Sequence, residues 1–291
     1  MLLDFVRGSS SHFRPSPRST SAPALEEAQK AAVVHDTYDL DDPPTHPGNG
    51  WTRFVCISDN HSDLCRVPDG DVLLHAGDLT KHGTWKDLDI TLQWLKSLPH
   101  RAKFVIAGNH DLCLDAQYKE NGSLRPIKPR RLDDKDITTA QTRIRSRATR
   151  KAGITYLEYQ SATYTARSGR TYTIYGSPAA PFYSLGAFQY ADSGAQVVCD
   201  QIPAGTHILM THTPPLGICD LTKRNKNAGC PVLAERLTRD DLKSCRLHVF
   251  GHIHEARGAT LIGQSEDTPC RVSVNASLPA LQLPIIVDLQ D

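Results

Sequence analysis

The chain has 291 residues, of which 39% are hydrophobic and 22% are charged, and its formal net charge is +1. These values are typical of a globular protein. Because the net charge is near zero, it excludes a strong overall electrostatic attraction of the protein to nucleic acid or to a membrane surface. No stretch approaches the roughly 18 consecutive apolar residues that a spanning helix needs.

The first 50 residues differ in composition from the rest of the chain. They are rich in Ser, Pro and polar residues and end in "DDPPTHPGNG", which cannot continue a helix or a central strand. We therefore predict a flexible leader at 1–50 and an ordered domain at 51–291. The 8 cysteines, without a secretory signal, favour reduced thiols and a cytoplasmic location. The Ser- and Arg-rich start, with Asp4 as its only acid before Glu26, indicates a mitochondrial location as the alternative.

From residue 51 onwards the pattern is strand, loop, strand, helix, strand. "TRFVCIS", "DVLLHAG" and "KFVIAGN" are short apolar runs bounded by turn residues, typical of strands buried on both faces. Residues 84–98 follow a helical period, with Thr84 and Asp87 placed as a capping pair. These runs predict a parallel α/β arrangement at the start of the domain.

The second half of the domain is dense in strands. Residues 125–151 carry ten Lys or Arg and three Asp, which favours a solvated helix or loop over a basic rim that attracts phosphorylated substrates. "TYTARSGRTYTIYG" predicts a hairpin, and "THILMTH", "LHVFGH" and "CRVSVNA" predict further strands. This order predicts a layered α/β domain built on two sheets.

Polar residues of metal-ligating type follow five of these apolar runs, often beside a glycine. Because loops at the carboxyl ends of parallel strands meet at one edge, we expect them to converge on one edge of a single sheet. They are Asp59 and His61; Asp78; Asn109, His110 and Asp111; His212; and His252 and His254.

The order and spacing of these blocks resemble the calcineurin-like metallophosphoesterase superfamily. Its Asp-x-His, Gly-Asp, Gly-Asn-His-Asp, single His and Gly-His-x-His blocks all occur here in order, within about residues 51–288. "HAGDLT", "THTPPLG" and "GHIHEARG" are similar to the small branch of metallophosphoesterase-domain-containing proteins. The resemblance implies a four-layer α/β/β/α sandwich with two mixed sheets.

The resemblance also implies a site for two divalent metal ions. Manganese is the first expectation, and Fe, Zn, Co or Ni are alternatives. It assigns Asp59, His61 and His254 to one ion, Asn109, His212 and His252 to the other, and Asp78 to the bridge. Together the ions would activate a water as hydroxide for attack on the phosphorus.

Two further residues would complete the implied catalytic site. His110 would stabilise the phosphoryl oxygens or protonate the leaving group. Asp111 would orient that imidazole or, alternatively, cap the following helix.

Departures from other branches narrow the expected substrate. Lys81 stands where purple acid phosphatases have Tyr, and "GDLTKHG" lacks the Arg of the protein Ser/Thr phosphatases. The remaining expectation is a small phosphorylated substrate, first of all a nucleotide-type phosphodiester such as a cyclic nucleotide. A phosphomonoesterase and a catalytically silent scaffold are the alternatives, and nucleic acid and membrane partners are not expected.

The cations outside the motif blocks bear on the choice between monoesters and diesters. Lys223, Arg224 and Lys226 follow His212 in a loop whose length predicts mobility. Poorly placed cations would not favour the more highly charged monoesters. We therefore expect diesters to be hydrolysed at least as well as monoesters.

Overall fold

The structure is a computed structural model that describes residues 31–118, 132–183, 186–263, 270–278 and 282–291. Residues 1–30 of the predicted leader lie outside this description. Residues 31–50 are part of the fold, since Ala32–His35 forms β1 and pairs antiparallel with the last strand. The ordered domain therefore begins before the predicted boundary at residue 51.

A buried ion pair attaches the segment before residue 51 to the first sheet. The Arg53 guanidinium lies 2.8 Å from the carboxylate of Asp288, and the two side chains are 5% and 0% exposed. The same guanidinium donates to the backbone carbonyls of Pro44 and Thr45.

Side chains of the segment add to this attachment, since the Tyr38 hydroxyl donates to Pro284 O at 2.7 Å and His46 Nε2 lies 2.9 Å from the Asp71 carboxylate. These partners are distant in sequence, so the polar composition of the segment did not reveal them.

The first sheet has six strands in the order β1–β14–β2–β3–β4–β5. Its strands β2 to β5 run parallel, whereas β14 runs antiparallel to both of its neighbours. The strands after β1 are β2 (Trp51–Ile57), β3 (Val72–His75), β4 (Ala102–Val105), β5 (Ile154–Tyr156) and β14 (Ile285–Gln290). Both faces of this sheet are covered, as the continuous apolar runs predicted.

The second sheet also has six strands, in the order β12–β13–β11–β10–β7–β6. Strands β7, β10, β11 and β13 run parallel, and the predicted hairpin forms the antiparallel edge pair β6–β7. The strands are β6 (Gln160–Thr165), β7 (Thr171–Ser177), β10 (Ile208–Thr211), β11 (Leu247–Phe250), β12 (Gly258–Ile262) and β13 (Arg271–Asn275). A small parallel pair joins β8 (Ala180–Pro181) to β9 (Gln189–Tyr190).

Helices cover the outer faces of the two sheets. The predicted helix at residues 84–98 is confirmed as α1, and the Thr84 side chain accepts the Asp87 N–H as its N-cap. The described helices are α1 (Trp85–Ser97), α2 (Asp134–Ile144), α3 (Arg147–Lys151), α4 (Ala195–Asp200) and α5 (Pro231–Arg236).

Three buried clusters hold the layers together. One fills the space between the sheets, with Phe54 and Leu74 on one side and Met210 and Val249 on the other. A second packs α1 and α2 on the first sheet, and a third packs α4 and α5 on the second. The predicted four-layer α/β/β/α sandwich with two mixed sheets is confirmed.

The basic segment at 125–151 is described from residue 132 onwards. There it forms α2 and α3, of which α2 buries only Ala140 and Ile144 and leaves most of its polar side chains towards solvent. The preference for a solvated helix is confirmed for this part. Among the described residues, no helix combines the length and apolarity needed to cross a membrane.

Candidate metal centre

The predicted ligands come from strand ends of both sheets. Asp59, Asp78 and Asn109 follow β2, β3 and β4 of the first sheet. His212 and His252 follow β10 and β11 of the second. The expectation of one sheet is therefore wrong, although the convergence itself is confirmed. Because the two sheets pack face to face with these strand ends on the same side, the site spans the edge of the sandwich.

The backbone at the site adopts a conformation that side-chain-bearing residues rarely use. The φ angles are +57° at Asp59, +47° at His61, +55° at Asp78 and +71° at His252. Left-handed backbone at non-glycine residues costs of order 1–3 kcal/mol each and persists where surrounding contacts determine it. This geometry turns the chain sharply after each strand, which directs successive side chains at one point.

Three overlapping groups of donor atoms meet in the site, and within each group the atoms lie within 4.8 Å of one another. The first group contains Asp59, His61 and His254. The second contains His61, Asp78 and His110, and the third contains Asp59, Asp78 and His212. The carboxylate of Asp78 lies between the two imidazoles, 3.8 Å from Nε2 of His61 and 3.4 Å from Nε2 of His212. Asp78 is thus central to the cluster.

The remaining two predicted ligands extend the cluster on the side of the second sheet. The Asn109 Oδ1 atom lies 2.9 Å from Nε2 of His212. The His252 ring stands edge-on to the His212 ring, with 5.0 Å between centroids. The structure therefore brings all seven predicted ligands together.

Two glycines leave room that a side chain would fill. A Cβ on Gly108 would collide with Oδ1 of Asp78 and lie 2.6 Å from Cε1 of His212. A Cβ on Gly251 would collide with Oδ2 of Asp59 and Oγ of Ser58. The glycines of the motif blocks thus permit the close approach of the donor groups.

The two central carboxyl groups have opposite pKa shifts. Burial, followed by the charges of Asp59 and Asp111, raises the pKa of Asp78 well above its usual value. Burial also opposes ionisation of Asp59, but the hydrogen bond from His254 and the nearby imidazoles lower its pKa well below the usual value. A cation between these carboxylates would relieve the repulsion that raises the Asp78 pKa.

Most of the imidazoles are held in the neutral form that ligates metals. Burial lowers the pKa of His61 to about 4 and that of His252 to about 3, and it also lowers the pKa of His212. The hydrogen bond with Asp59 raises the pKa of His254. Neutral imidazoles, two carboxylates and one amide oxygen form a donor set that fits divalent transition-metal ions.

His110 and Asp111 are adjacent in sequence but occupy different environments. The exposed His110 donates its backbone N–H to Asp78 at 2.8 Å, and its ring packs edge-on against that of His61. The fully buried Asp111 accepts hydrogen bonds from the N–H groups of Leu79, Thr80 and Gly108 and from the Thr80 hydroxyl. Asp111 thus joins the Asp78 loop to the Asn109 loop.

The helix-capping alternative for Asp111 is wrong for the turn that follows it. The described turn Leu112–Leu114 begins after Asp111 without a hydrogen bond to its side chain. The carboxylate is directed instead to the neighbouring loops. Burial raises its pKa to about 6 despite these hydrogen bonds.

Several residues that support the ligands were not predicted as part of the site. Ser277 donates its hydroxyl to Asp59 at 2.9 Å. It follows "CRVSVNA", so the strand-end pattern that identified the other residues extends to it. His75 Nε2 lies 2.8 Å from Oδ1 of Asn60, and His248 Nε2 lies 2.8 Å from the Thr211 hydroxyl. These two buried histidines therefore hold residues adjacent to ligands.

The loop at residues 214–229, which we call the basic loop, is tied at several points. The carboxylate of the buried Asp220 accepts the N–H groups of Gly217 and Gly229 and the Asn227 amide. The buried Asn275 donates its amide both to Cys219 O and to Ile253 O, at 2.9 Å each. The sequence predicted a mobile loop, and the structure shows that hydrogen bonds to the buried Asp220 and Asn275 side chains tie its backbone at several points.

The architecture is that of the metallophosphatase fold, and comparison with known proteins gives the family. The model for calcineurin-like phosphoesterases matches residues 52–256, so the chain belongs to the calcineurin-like phosphoesterase family. A solved structure with 15% sequence identity and a TM-score of 0.53 covers 77% of this chain and 90% of its own length, which agrees with the fold.

Individual relatives place the chain among small metallophosphoesterase-domain proteins. It is 35% identical to human metallophosphoesterase domain-containing protein 1, over 85% of this chain and 73% of that protein. It is 33% identical to UPF0046 protein K07C11.7 of Caenorhabditis elegans, over 78% of this chain and 71% of that protein. A 37% identical match to probable rhamnogalacturonate lyase C of Emericella nidulans covers 72% of this chain but only 18% of that protein. The lyase activity in that name belongs to a protein of which this chain spans a small part.

Proposed function

We propose that the protein is a phosphoesterase that hydrolyses phosphate esters with two divalent metal ions. The observation that supports this proposal most is the buried Asp78 carboxylate, which lies between His61 on one side and His212 on the other. Asp59, His61 and His254 would hold one ion, and Asn109, His212 and His252 the other. Bound divalent ions supply positive charge that stabilises the phosphoryl group and lowers the pKa of water.

The residues beside the ligands would act on the ester itself. His110 is exposed at the site and next to Asn109, so its imidazole can reach the leaving oxygen or a phosphoryl oxygen. Asp111 would act as a positioning residue, because its carboxylate holds the two loops that carry Asp78 and Asn109. The neutral amide of Asn109 adds a donor without another negative charge facing the anionic substrate.

We propose manganese as the first metal to test, with Fe, Zn, Co and Ni as the alternatives, since histidine and carboxylate donors accept all of them. For the substrate we propose a small phosphorylated molecule, first of all a nucleotide-type phosphodiester such as a cyclic nucleotide. A phosphomonoesterase on the same site is the second candidate. A catalytically silent scaffold is the third, and the complete set of donors argues against it.

The test is a panel of phosphate esters with purified protein reconstituted in turn with Mn, Co, Ni, Zn and Fe. It contains nitrophenyl monoesters, nitrophenyl diesters and cyclic nucleotides, and the Asp78→Asn variant serves as the control for contaminating activity. We expect hydrolysis of diesters with kcat/KM at least equal to that of monoesters. Hydrolysis of monoesters alone would move the function to a phosphatase. The absence of hydrolysis with every metal, in protein that binds two ions, would favour the scaffold.

A further inference from the structure

The chain that follows β13 runs beside the chain that carries Asp59. Asn275 is the last residue of β13, and Ser277 stands two residues beyond it. Ser277 pairs with Ser58 in an isolated parallel bridge, and Leu278 donates its backbone N–H to Ser58 O at 2.9 Å. Because Ser58 immediately precedes Asp59, these contacts fix Ser277 next to a proposed metal ligand.

The two carboxylate oxygens of Asp59 have different partners. Oδ1 lies 3.2 Å from Nε2 of His254, another proposed ligand. Oδ2 accepts the hydroxyl of Ser277 at 2.9 Å, and this oxygen also borders the space that a side chain on Gly251 would fill. Asp59 and Ser277 are 1% and 0% exposed, so bulk water has little access to this hydrogen bond. Ser277 therefore holds one oxygen of Asp59 while the other faces an imidazole of the cluster.

Asn275 positions Ser277 through its amide oxygen. Oδ1 of Asn275 accepts the backbone N–H of Ser277 at 3.2 Å and lies 2.8 Å from its Oγ atom. The Ser277 hydroxyl has one hydrogen, which only one of the two neighbouring acceptors can fully receive. When Asp59 is ionised, as a metal ligand must be, its carboxylate is a stronger acceptor than an amide oxygen. The hydroxyl is then donated to Asp59, and Asn275 holds Ser277 by its N–H.

The amide nitrogen of Asn275 joins this network to the loop that carries His252 and His254. It donates at 2.9 Å to Ile253 O, which lies between the two histidines in the chain. It also donates at 2.9 Å to a backbone carbonyl of the basic loop. Asn275 is fully buried, and its amide uses its donors and its acceptor within the site. One side chain therefore sets the position of Ser277 relative to both histidines.

We propose that Asn275 and Ser277 are positioning residues for one of the two metal ions, the ion assigned to Asp59. This inference rests on the proposed function, because it takes Asp59 as a metal ligand. The ligands Asn109 and His212 of the other ion contact each other at 2.9 Å. In the part of the chain that the structure describes, neither of them is hydrogen-bonded to Asn275 or Ser277. The two residues should therefore act selectively on the ion at Asp59.

The test is the Ser277→Ala variant, which removes the hydroxyl and little else. The affinities of both Mn ions are measured by competition with a chromophoric chelator, in the wild type and in the variant. We expect one ion to bind about 10–100-fold more weakly, the range for losing the hydrogen-bond partner of a ligand, and the other to stay within about threefold. Bound Co²⁺ gives a second readout, because its visible absorption depends on the ligands around it. The spectrum of Co-loaded Ser277→Ala should differ from that of the wild type, which a loss of stability alone would not cause.

Asn275→Ala tests the second residue independently. It should weaken the same ion, and its effect should be smaller in a Ser277→Ala background, because the two residues act on one carboxylate. Ser273→Ala is the matched control. Ser273 also lies on β13 and is 0% exposed, and its hydroxyl has no hydrogen-bond partner among the described residues. We expect Ser273→Ala to keep both Mn affinities.

Unchanged Mn affinities in Ser277→Ala, or an equal loss in Ser273→Ala, would overturn the proposal. Wild-type protein that binds fewer than two ions would overturn it together with the two-metal site. Hydrolysis is measured separately with the ester panel. Two bound ions without hydrolysis would reject the phosphoesterase function, whereas the binding comparison still decides the role of Asn275 and Ser277.

Discussion

Replacement of Gly108 by alanine should weaken metal binding far more than it weakens the fold. The added Cβ would lie 2.6 Å from Cε1 of His212 and closer still to Oδ1 of Asp78. Real Cβ contacts essentially never fall below 3.0 Å, so the His212 ring must shift by about 0.4 Å and the Asp78 carboxylate by more, unless the Gly108 backbone moves away from both. Metal–ligand distances in sites that bind their ion stay within about 0.2 Å of ideal values. The displacement therefore exceeds what the centre tolerates.

The expected loss is about 10–100-fold in metal affinity, the range observed when the support of a ligand is disturbed. The added methyl group should also cost about 1–3 kcal/mol of stability, as overpacking in a close-packed interior does. Metal affinity is measured by competition with a chromophoric chelator, and stability by urea unfolding of the metal-free protein. Circular dichroism establishes that the variant is folded before either measurement.

Gly176→Ala is the matched control for this prediction. A Cβ there would lie 2.5 Å from Cβ of Leu157 and 2.6 Å from Cγ2 of Ile106, which is as crowded but lies between the sheets. We expect a similar loss of stability and unchanged metal affinity. If Gly108→Ala kept its metal affinity within about twofold, or if Gly176→Ala lost as much, the reasoning from the crowding of Asp78 and His212 would be refuted.

Three other substitutions test the separate parts of the molecule. Asp78→Asn should lower occupancy at both metal positions, because the amide is a weaker bridge; elemental analysis that finds one position still full would contradict the bridging role. His110→Ala should retain metal and lower kcat by about 10²–10⁴-fold, less for nitrophenolate leaving groups, which need no proton. A parallel loss of metal would make His110 a ligand instead. Arg53→Met should cost about 3–5 kcal/mol in urea unfolding, because the buried Asp288 carboxylate loses its guanidinium partner and keeps only His35, whose Nε2 lies 3.5 Å away. The double variant with Asp288→Leu should recover most of that loss, and equal instability of both proteins would refute the ion-pair argument.

The nature of the site could be predicted from the sequence because its chemistry is local. Each ligand stands one to four residues beyond a short apolar run. A short stretch of sequence is therefore enough to predict a functional loop, because it contains both the buried strand and the polar residue that follows it. The residue types then indicate metal ions, since carboxylates and neutral imidazoles are donors that divalent transition-metal ions accept. The capped helix α1 and the β6–β7 hairpin were predicted for the same reason, as Thr84 and the Ser-Gly turn act over only a few residues.

The tertiary structure decided what depends on contacts between distant residues. Only the packing of two sheets shows that His212 reaches Asp78 from a different sheet than the one that precedes Asp59. His252 comes from the same second sheet and packs against His212. Asp111 contacts Leu79 and Thr80 across 32 and 31 residues, which no local pattern encodes. The basic loop has few apolar residues and looks mobile in sequence. In the structure its backbone is hydrogen-bonded to the buried side chains of Asp220 and Asn275, because a polar group that is out of water must find hydrogen-bond partners wherever the fold supplies them.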